Sequence, residues 1–440
     1  VIATQKERTR FGKSRRETVS RAAQADLKVN ERRFDPVAIL QAAGEGRVRQ
    51  LLPIKYARMK ASPFAFFRGA VSIMAADLGR LPHSGLNVQL CGDAHVQNLG
   101  SFAAPDGALV FDLNDFDETI RGPWEWDVKR MAASLVLAGS ACGQPLPRCR
   151  DAAEVFAGSY CRSIREFANL PILQVARRQI HRQQRIQPVQ AALRQSERAR
   201  PLDLLVKFTE PDRHGQPRLR NLRPNFWRVR GPKAREVLDS LDAYRGNLSP
   251  DRRHLYDLFR PVDVGFKVVG TGSVGLRDYV VLFEGNGAGD PMFLQIKQEV
   301  ASAYAHWLPD LVYPHQGRRA AEGQRAVQPI SDLLLGWTSI GAHQYLVRQL
   351  NDHKGSIDLQ KLRGGGLESL AQVAGELLAR GHARSGDACE IGGYCGSGAR
   401  VVRALRDFAG QYAELTEADY DLFMAAIKKG KIRVAEGGAS

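Results

Sequence analysis

The segment Cys91-Gly92-Asp93-Ala94-His95-Val96-Gln97-Asn98, followed by Asn114-Asp115-Phe116-Asp117-Glu118, constrains this chain more than any other. An Asp, an Asn five positions later and an Asp-containing turn after a short hairpin form a compact set of oxygen donors. Such side chains supply one base and two ligands for a hard cation such as Mg²⁺ (or Mn²⁺), which shares its oxygen shell with phosphate. Phosphoryl transfer uses those parts: a carboxylate near the attacking hydroxyl, and Asn and Asp oxygens on the metal. The expectation is Asp93 as base with His95 beside it, Asn98 and Asp115 on the metal, and Asp117 as a second acidic ligand. The plain alternative is an Asx-rich turn that caps only its own backbone. The second acidic turn weighs against it, because clustered carboxylates repel one another unless a cation lies between them. His95 alone reads more readily as a structural hydrogen-bonding group.

With 440 residues the chain is long enough for two or three packing units. No apolar run approaches the roughly 20 residues that span a bilayer. The first residues, VIATQKERTRFGKSRRETVS, are basic without an apolar segment, so no secretory signal is expected. Six cysteines without CxxC or zinc-like spacing point to neither a disulfide framework nor structural zinc, and a reducing cytoplasm is the expected setting. The formal charge of +16 is concentrated locally: seven arginines stand against Glu197 between Arg177 and Arg200. That run suits a solvated helical face or an anionic partner; nucleic acid is not favoured, because no aromatics or recognition motif accompany it.

Along the chain, residues 1–60 read as mostly helical, with Asp35 capping a helix that begins at Pro36. Asn87–Cys91 and Ala108–Leu113 read as short strands, and a helix follows from Asp127 to about Gly139. Residues 61–175 thus carry the acidic site. Residues 176–255, basic and punctuated by proline, read as an inserted helical or linker region. Residues 256–355 read as a β-rich unit with Gly-rich turns and a helix from Arg318 to Val327. Residues 356–440 read as helices broken at Gly381, Gly392-Gly393 and Gly396.

Within the β-rich unit, Gly270-Thr271-Gly272-Ser273-Val274-Gly275 matches G-x-G-x-x-G, a weak signal by itself. Flanking strands and Lys297 on the next strand strengthen it, since glycine turns bring backbone N–H groups onto phosphates and a lysine adds charge. A lysine so placed needs a carboxylate. Glu322 is the first candidate and Glu299 the second. Arg68 serves either a phosphate or acid near the site, or packs on its aromatic neighbours. Asp127 reads as a helix N-cap bracing the acidic loop, and His382 and Arg384 as a polar cluster at a helix end that buttresses it.

Taken together, SPFAFFRG at 62–69, CGDAHVQNLG at 91–100, NDFDE at 114–118, GPWEWDVKR at 122–130, GTGSVG at 270–275, EGQR at 322–325 and GHARSGD at 381–387 resemble an uncharacterised bacterial family catalogued as domain of unknown function number 2252. More distantly, Asp93, His95, Asn98, Asp115, Phe116 and Asp127 resemble the aminoglycoside and choline kinase branch of the protein-kinase-like fold. Cys91 departs from it, standing where that branch has histidine. The resemblance implies an α+β fold of two lobes, a β-rich nucleotide lobe and a mostly helical catalytic lobe. Because the glycine loop and Lys297 follow the acidic loop instead of preceding it, it also implies circular permutation. The implied activity is ATP- and Mg²⁺-dependent phosphotransfer to an open acceptor, an anionic one among the candidates. AMP transfer, metal-dependent phosphoester hydrolysis and non-catalytic nucleotide or RNA binding are the alternatives.

Overall fold

In the computed structural model, residues 3–179, 186–198, 201–268, 270–287, 289–350, 355–362 and 364–435 are described. The chain is mixed α+β. Helices Trp124–Ala141, Leu146–Asn169, Gly366–Ser385 and Ala399–Lys428 pack around one large core that includes Leu135, Phe156, Tyr160, Leu377 and Phe408. Trp124–Ala141 is buried over nearly its whole length, because short side chains (Ala132, Ala133, Ser134, Ala138, Gly139) let neighbours approach from every side.

Two small antiparallel pairs sit against this core and set the acidic loops. Strands Asn87–Leu90 and Ile120–Pro123 pair with Leu90 opposite Ile120, which brings Gly92 against Glu118. Gly92 has φ +82°, and a Cβ there would meet the Glu118 carbonyl oxygen at 2.1 Å, so the approach requires glycine. Strands Leu99–Ala103 and Leu109–Leu113 pair with Leu99 opposite Leu113, and Asn114 N–H donates to Asn98 O at 3.0 Å. Asn98 and Asp115 are thereby neighbours through backbone register.

The second unit is a six-stranded antiparallel sheet in the spatial order Gly336–Ile340, His343–Gln349, Pro291–Glu299, Asp278–Glu284, Arg260–Lys267, Phe226–Val229. One face is covered by helix Pro232–Gly246, whose Val237 and Tyr244 join Val281, Phe283 and Val347 in a separate core. Helix Gln316–Val327 covers the opposite face of the sheet at strands Gly336–Ile340 and His343–Gln349, with Ala320 and Ala321 packed on Leu335 and Leu346.

Two expectations change. The β-rich unit begins well before residue 256: Phe226–Val229 forms its edge strand, where Trp227 stacks on Phe266 at 4.5 Å. Proline and arginine around this short aromatic strand hid it. Of the basic stretch, helices Ile172–Arg177 and Gln187–Arg198 are seen, while residues 180–185 and 199–200 lie outside the described residues. Gly381 and Gly392-Gly393 do not break helices. A Cβ at Gly381 would meet Val327 at 2.7 Å and one at Gly393 would meet Thr9 O at 2.2 Å, so these positions serve close packing; Gly396, at φ +63°, does end a helix. Among the described residues no helix is long and apolar enough to cross a membrane.

Candidate functional site

The acidic loop is held from below. Asp127 lies inside helix Trp124–Ala141, not at its cap as expected, and its two carboxylate oxygens accept from Cys91 N–H (2.8 Å) and Gly92 N–H (2.9 Å). His382 Nε2 stands 3.4 Å from Asp127, and its Nδ1 lies 2.8 Å from Tyr160 Oη. His382 thus reaches the loop through Asp127. Arg384 does not: it donates to the carbonyls of Ala176 and Gln328.

Asp93 is fixed by a residue that sequence reasoning passed over. Arg130, fully buried on the same helix as Asp127, bonds Asp93 Oδ1 from Nε (2.6 Å) and sits over the Phe67 ring at 4.2 Å. Asp93 Oδ2 is left facing His95 Nε2 at 3.6 Å. Burial drives the His95 pKa down to about 3, so the imidazole is neutral at ordinary pH, and at 3.6 Å it does not hydrogen-bond Asp93. Asn98 donates its amide to Asp93 O at 2.8 Å, which leaves its side-chain oxygen for another partner.

Lys297, buried on strand Pro291–Glu299, crosses from the sheet to the second acidic turn. Its Nζ lies 2.5 Å from Asp117 Oδ2 and 3.6 Å from Asp115 Oδ1. Burial alone would raise the Asp117 carboxyl and lower the lysine. Their mutual attraction wins on both sides, holding Asp117 well below the usual carboxylate range and Lys297 above the usual lysine range. Glu322 is not its partner: it is half-exposed and paired with Arg318 at 2.8 Å. The inward residue of that helix is Arg319, buried and donating to the carbonyls of Asp117, Thr119 and Val300. Glu299 remains near Lys297, but burial and then the Asp117 charge push its carboxyl pKa up against the pull of Lys297 and Arg319.

The glycine turn is anchored by the N-terminal segment. Arg47 donates to Gly272 O and Val274 O at 2.8 Å each, Arg58 donates to Gly270 O, and Val48 N–H donates to Gly275 O at 2.7 Å. Ser273 Oγ donates to Asp117 Oδ2 at 2.9 Å. A cavity of about 660 Å³ results, bounded on one side by Asp93, His95, Asn98, Asp115 and Asp117, and on the other by Gly270, Thr271, Gly272 and Ser273. Arg68 also lines it, with Asp93 and Asp115 as its charged neighbours and not stacked on the aromatics beside it in sequence. Gly275 packs on Arg47 outside the lining.

Asp115 Oδ1 is buried without a hydrogen-bond partner and the Asn98 side-chain oxygen is uncommitted, so hard oxygens fit Mg²⁺ here; both Asp117 oxygens are engaged by Lys297 and Ser273. Among the described residues no group of three or more His, Cys, Asp or Glu side chains is arranged to hold a metal ion. Asn98 and Asp115 alone would therefore be the protein ligands. No curated protein and no solved structure matches this chain. A family described as "Uncharacterized protein conserved in bacteria (DUF2252)" matches residues 47–426, nearly the whole chain, and the protein belongs to that family.

Proposed function

We propose that this protein is an ATP- and Mg²⁺-dependent phosphotransferase of the protein-kinase-like fold, circularly permuted, acting on a hydroxyl acceptor. One observation carries the reading: Lys297 Nζ reaches Asp117 and Asp115 while the glycine turn from the same sheet and the acidic loop line one cavity. In protein kinases a glycine-rich turn covers the phosphates and the lysine stands on the third strand. Here the turn joins Arg260–Lys267 to Asp278–Glu284, and Lys297 is on the strand that follows.

In this reading the Gly270–Ser273 backbone and Lys297 receive the donor phosphates. When bound, Mg²⁺ on Asn98 and Asp115 supplies positive charge to the phosphate oxygens. Asp93, pinned through Oδ1 by Arg130, presents Oδ2 to the acceptor hydroxyl and takes its proton as the new O–P bond forms. The bond from the γ phosphorus to the β,γ-bridging oxygen breaks with it, and ADP leaves with the electron pair. Neutral His95 lies 3.6 Å from Asp93 Oδ2 without bonding it, which leaves that oxygen open to the hydroxyl. Positioning and charge stabilisation carry the rate, as phosphoryl transfer asks little covalent chemistry of a protein. Lys297 must loosen from Asp117 for this, which the phosphate charge favours by offering an alternative anion.

Incubation with ATP labelled at either the α or the γ phosphate tests the reading. Phosphotransfer moves only the γ label to product or water, and Asp93→Asn abolishes the movement. Transfer of the α label would instead establish AMP transfer, and loss of neither would refute both.

A further inference from the structure

A second cavity, of about 520 Å³, shares no lining residue with the one between the acidic loops and the glycine turn. Four arginines line it, Arg16, Arg21, Arg400 and Arg403, against the single carboxylate of Asp407. They come from two distant segments. Arg16 lies in the last turn of helix Gln5–Thr18 and Arg21 just beyond it. Arg400 and Arg403 stand three positions apart at the start of helix Ala399–Lys428, and so share a face. No acidic residue occupies the first turn of that helix to cancel their charge.

The fold brings two of these guanidinium groups to one point. Gly396, at φ +63°, follows helix Ala388–Cys395, and a Cβ there would meet Arg16 Nη2 at 2.8 Å and Arg21 Nη1 at 3.0 Å. Both arginines thus reach the same spot, and only glycine leaves room for them. Backbone carbonyls hold them there: Tyr394 O accepts from Arg16 Nε at 2.9 Å, Gly393 O from Arg16 Nη2, and Cys395 O from Arg21 Nη1 at 3.3 Å. Carbonyls orient a guanidinium without neutralising it. None of the four arginines has an ion pair among the described residues. Burial first, then the Arg21 charge with Arg400 adding to it, lowers the Arg16 pKa. Arginine keeps its proton through such a shift, so the repulsion among these cations stands unrelieved.

We infer that Arg16, Arg21, Arg400 and Arg403 form a binding site for a small phosphorylated molecule, separate from the reaction cavity. Four arginines against one aspartate leave an excess of positive charge that one carboxylate would not balance. A phosphate group carries about two negative charges and three acceptor oxygens, enough to answer several guanidinium forks at once. A concave site of this size suits a small ligand, whereas a lipid headgroup would be presented on a flat surface. The site stands whether or not the reaction cavity takes ATP.

The test is calorimetric titration of inorganic pyrophosphate into the full chain at about 0.15 M salt, where loose surface attraction is largely screened. Wild type should bind it saturably. The double variant Arg400→Gln, Arg403→Gln changes two exposed side chains and should weaken binding at least about ten-fold. Arg21→Gln should weaken it similarly, with circular dichroism confirming that each variant is folded. Lys297→Met, in the other cavity, should leave this binding in place. No binding by wild type, undiminished binding by the double variant, or loss in Lys297→Met alone would overturn the site. Equal binding of succinate would overturn the assignment to phosphate. Displacement of pyrophosphate by phosphatidylcholine vesicles containing phosphatidylglycerol, but not by phosphatidylcholine alone, would assign the arginines to a membrane surface and overturn the small-molecule reading.

Discussion

Replacing Asp127 by Asn should release the acidic loop before it unfolds the protein. The carboxylate serves two buried amides, Cys91 N–H at 2.8 Å and Gly92 N–H at 2.9 Å. The Asn oxygen replaces at most one of these bonds and removes the charge from it. A hydrogen bond to a charged group contributes about 1.5–3 kcal/mol, and a buried donor left unpaired costs about 1–3 kcal/mol. The expected local loss is therefore about 2–5 kcal/mol. Spread over a cooperative melt with about 2 cal/mol/K per residue, it moves Tm by only a few degrees. Expressed as local opening, the same energy is about a 30- to 4,000-fold increase in amide exchange at 1.4 kcal/mol per decade. Hydrogen–deuterium exchange of peptides spanning Cys91 and Gly92 is the assay. If those amides keep wild-type protection in a folded Asp127→Asn variant, Asp127 does not hold the loop and the bracing argument is wrong.

Lys297→Met should destabilise the protein by about 3–5 kcal/mol, since it strands Asp115 and Asp117 without their cation. Added Mg²⁺ should raise the Tm of this variant more than that of wild type; an equal response would contradict the pairing. Asp77, buried beside Arg32 and Tyr412, has its pKa raised to about 6, first by burial and then by Asp419, with Arg32 opposing. Because the folded state holds this proton more tightly, its contribution is full below about pH 4 and is lost as pH rises through 6. Asp77→Asn should flatten the Tm-versus-pH curve over that window by the equivalent of about 3 kcal/mol. Glu322→Ala should change stability by no more than about 0.5 kcal/mol and leave any nucleotide response intact, because its ion pair with Arg318 is at the surface.

Local pattern carried the acidic site. The spacing of Asp93, Asn98 and Asp115 survives folding because short β pairing fixes those residues by register. Lys297 was legible for a similar reason, standing on the strand after a glycine turn. The arginines were not legible. Arg47, Arg58, Arg130 and Arg319 are sited by backbone carbonyls or a carboxylate brought together from distant segments, and nothing in the local sequence separates them from solvated arginines. Glu322 misled for the converse reason: a carboxylate on the right helix has the right chemistry, but the helix turns Arg319 inward and leaves Glu322 in water. The edge strand Phe226–Val229 was obscured because four residues are too few for a periodic signal.

A thermal-shift titration with ATP, with and without Mg²⁺, on wild type and Asp115→Ala reaches the central claim most directly. If the glycine turn and the acidic loops enclose one nucleotide site, ATP at 100 times its Kd stabilises wild type by about 2.7 kcal/mol. Mg²⁺ should enlarge that shift, and the Mg²⁺ increment should vanish in Asp115→Ala. A wild-type melting temperature indifferent to ATP in both conditions would contradict the account.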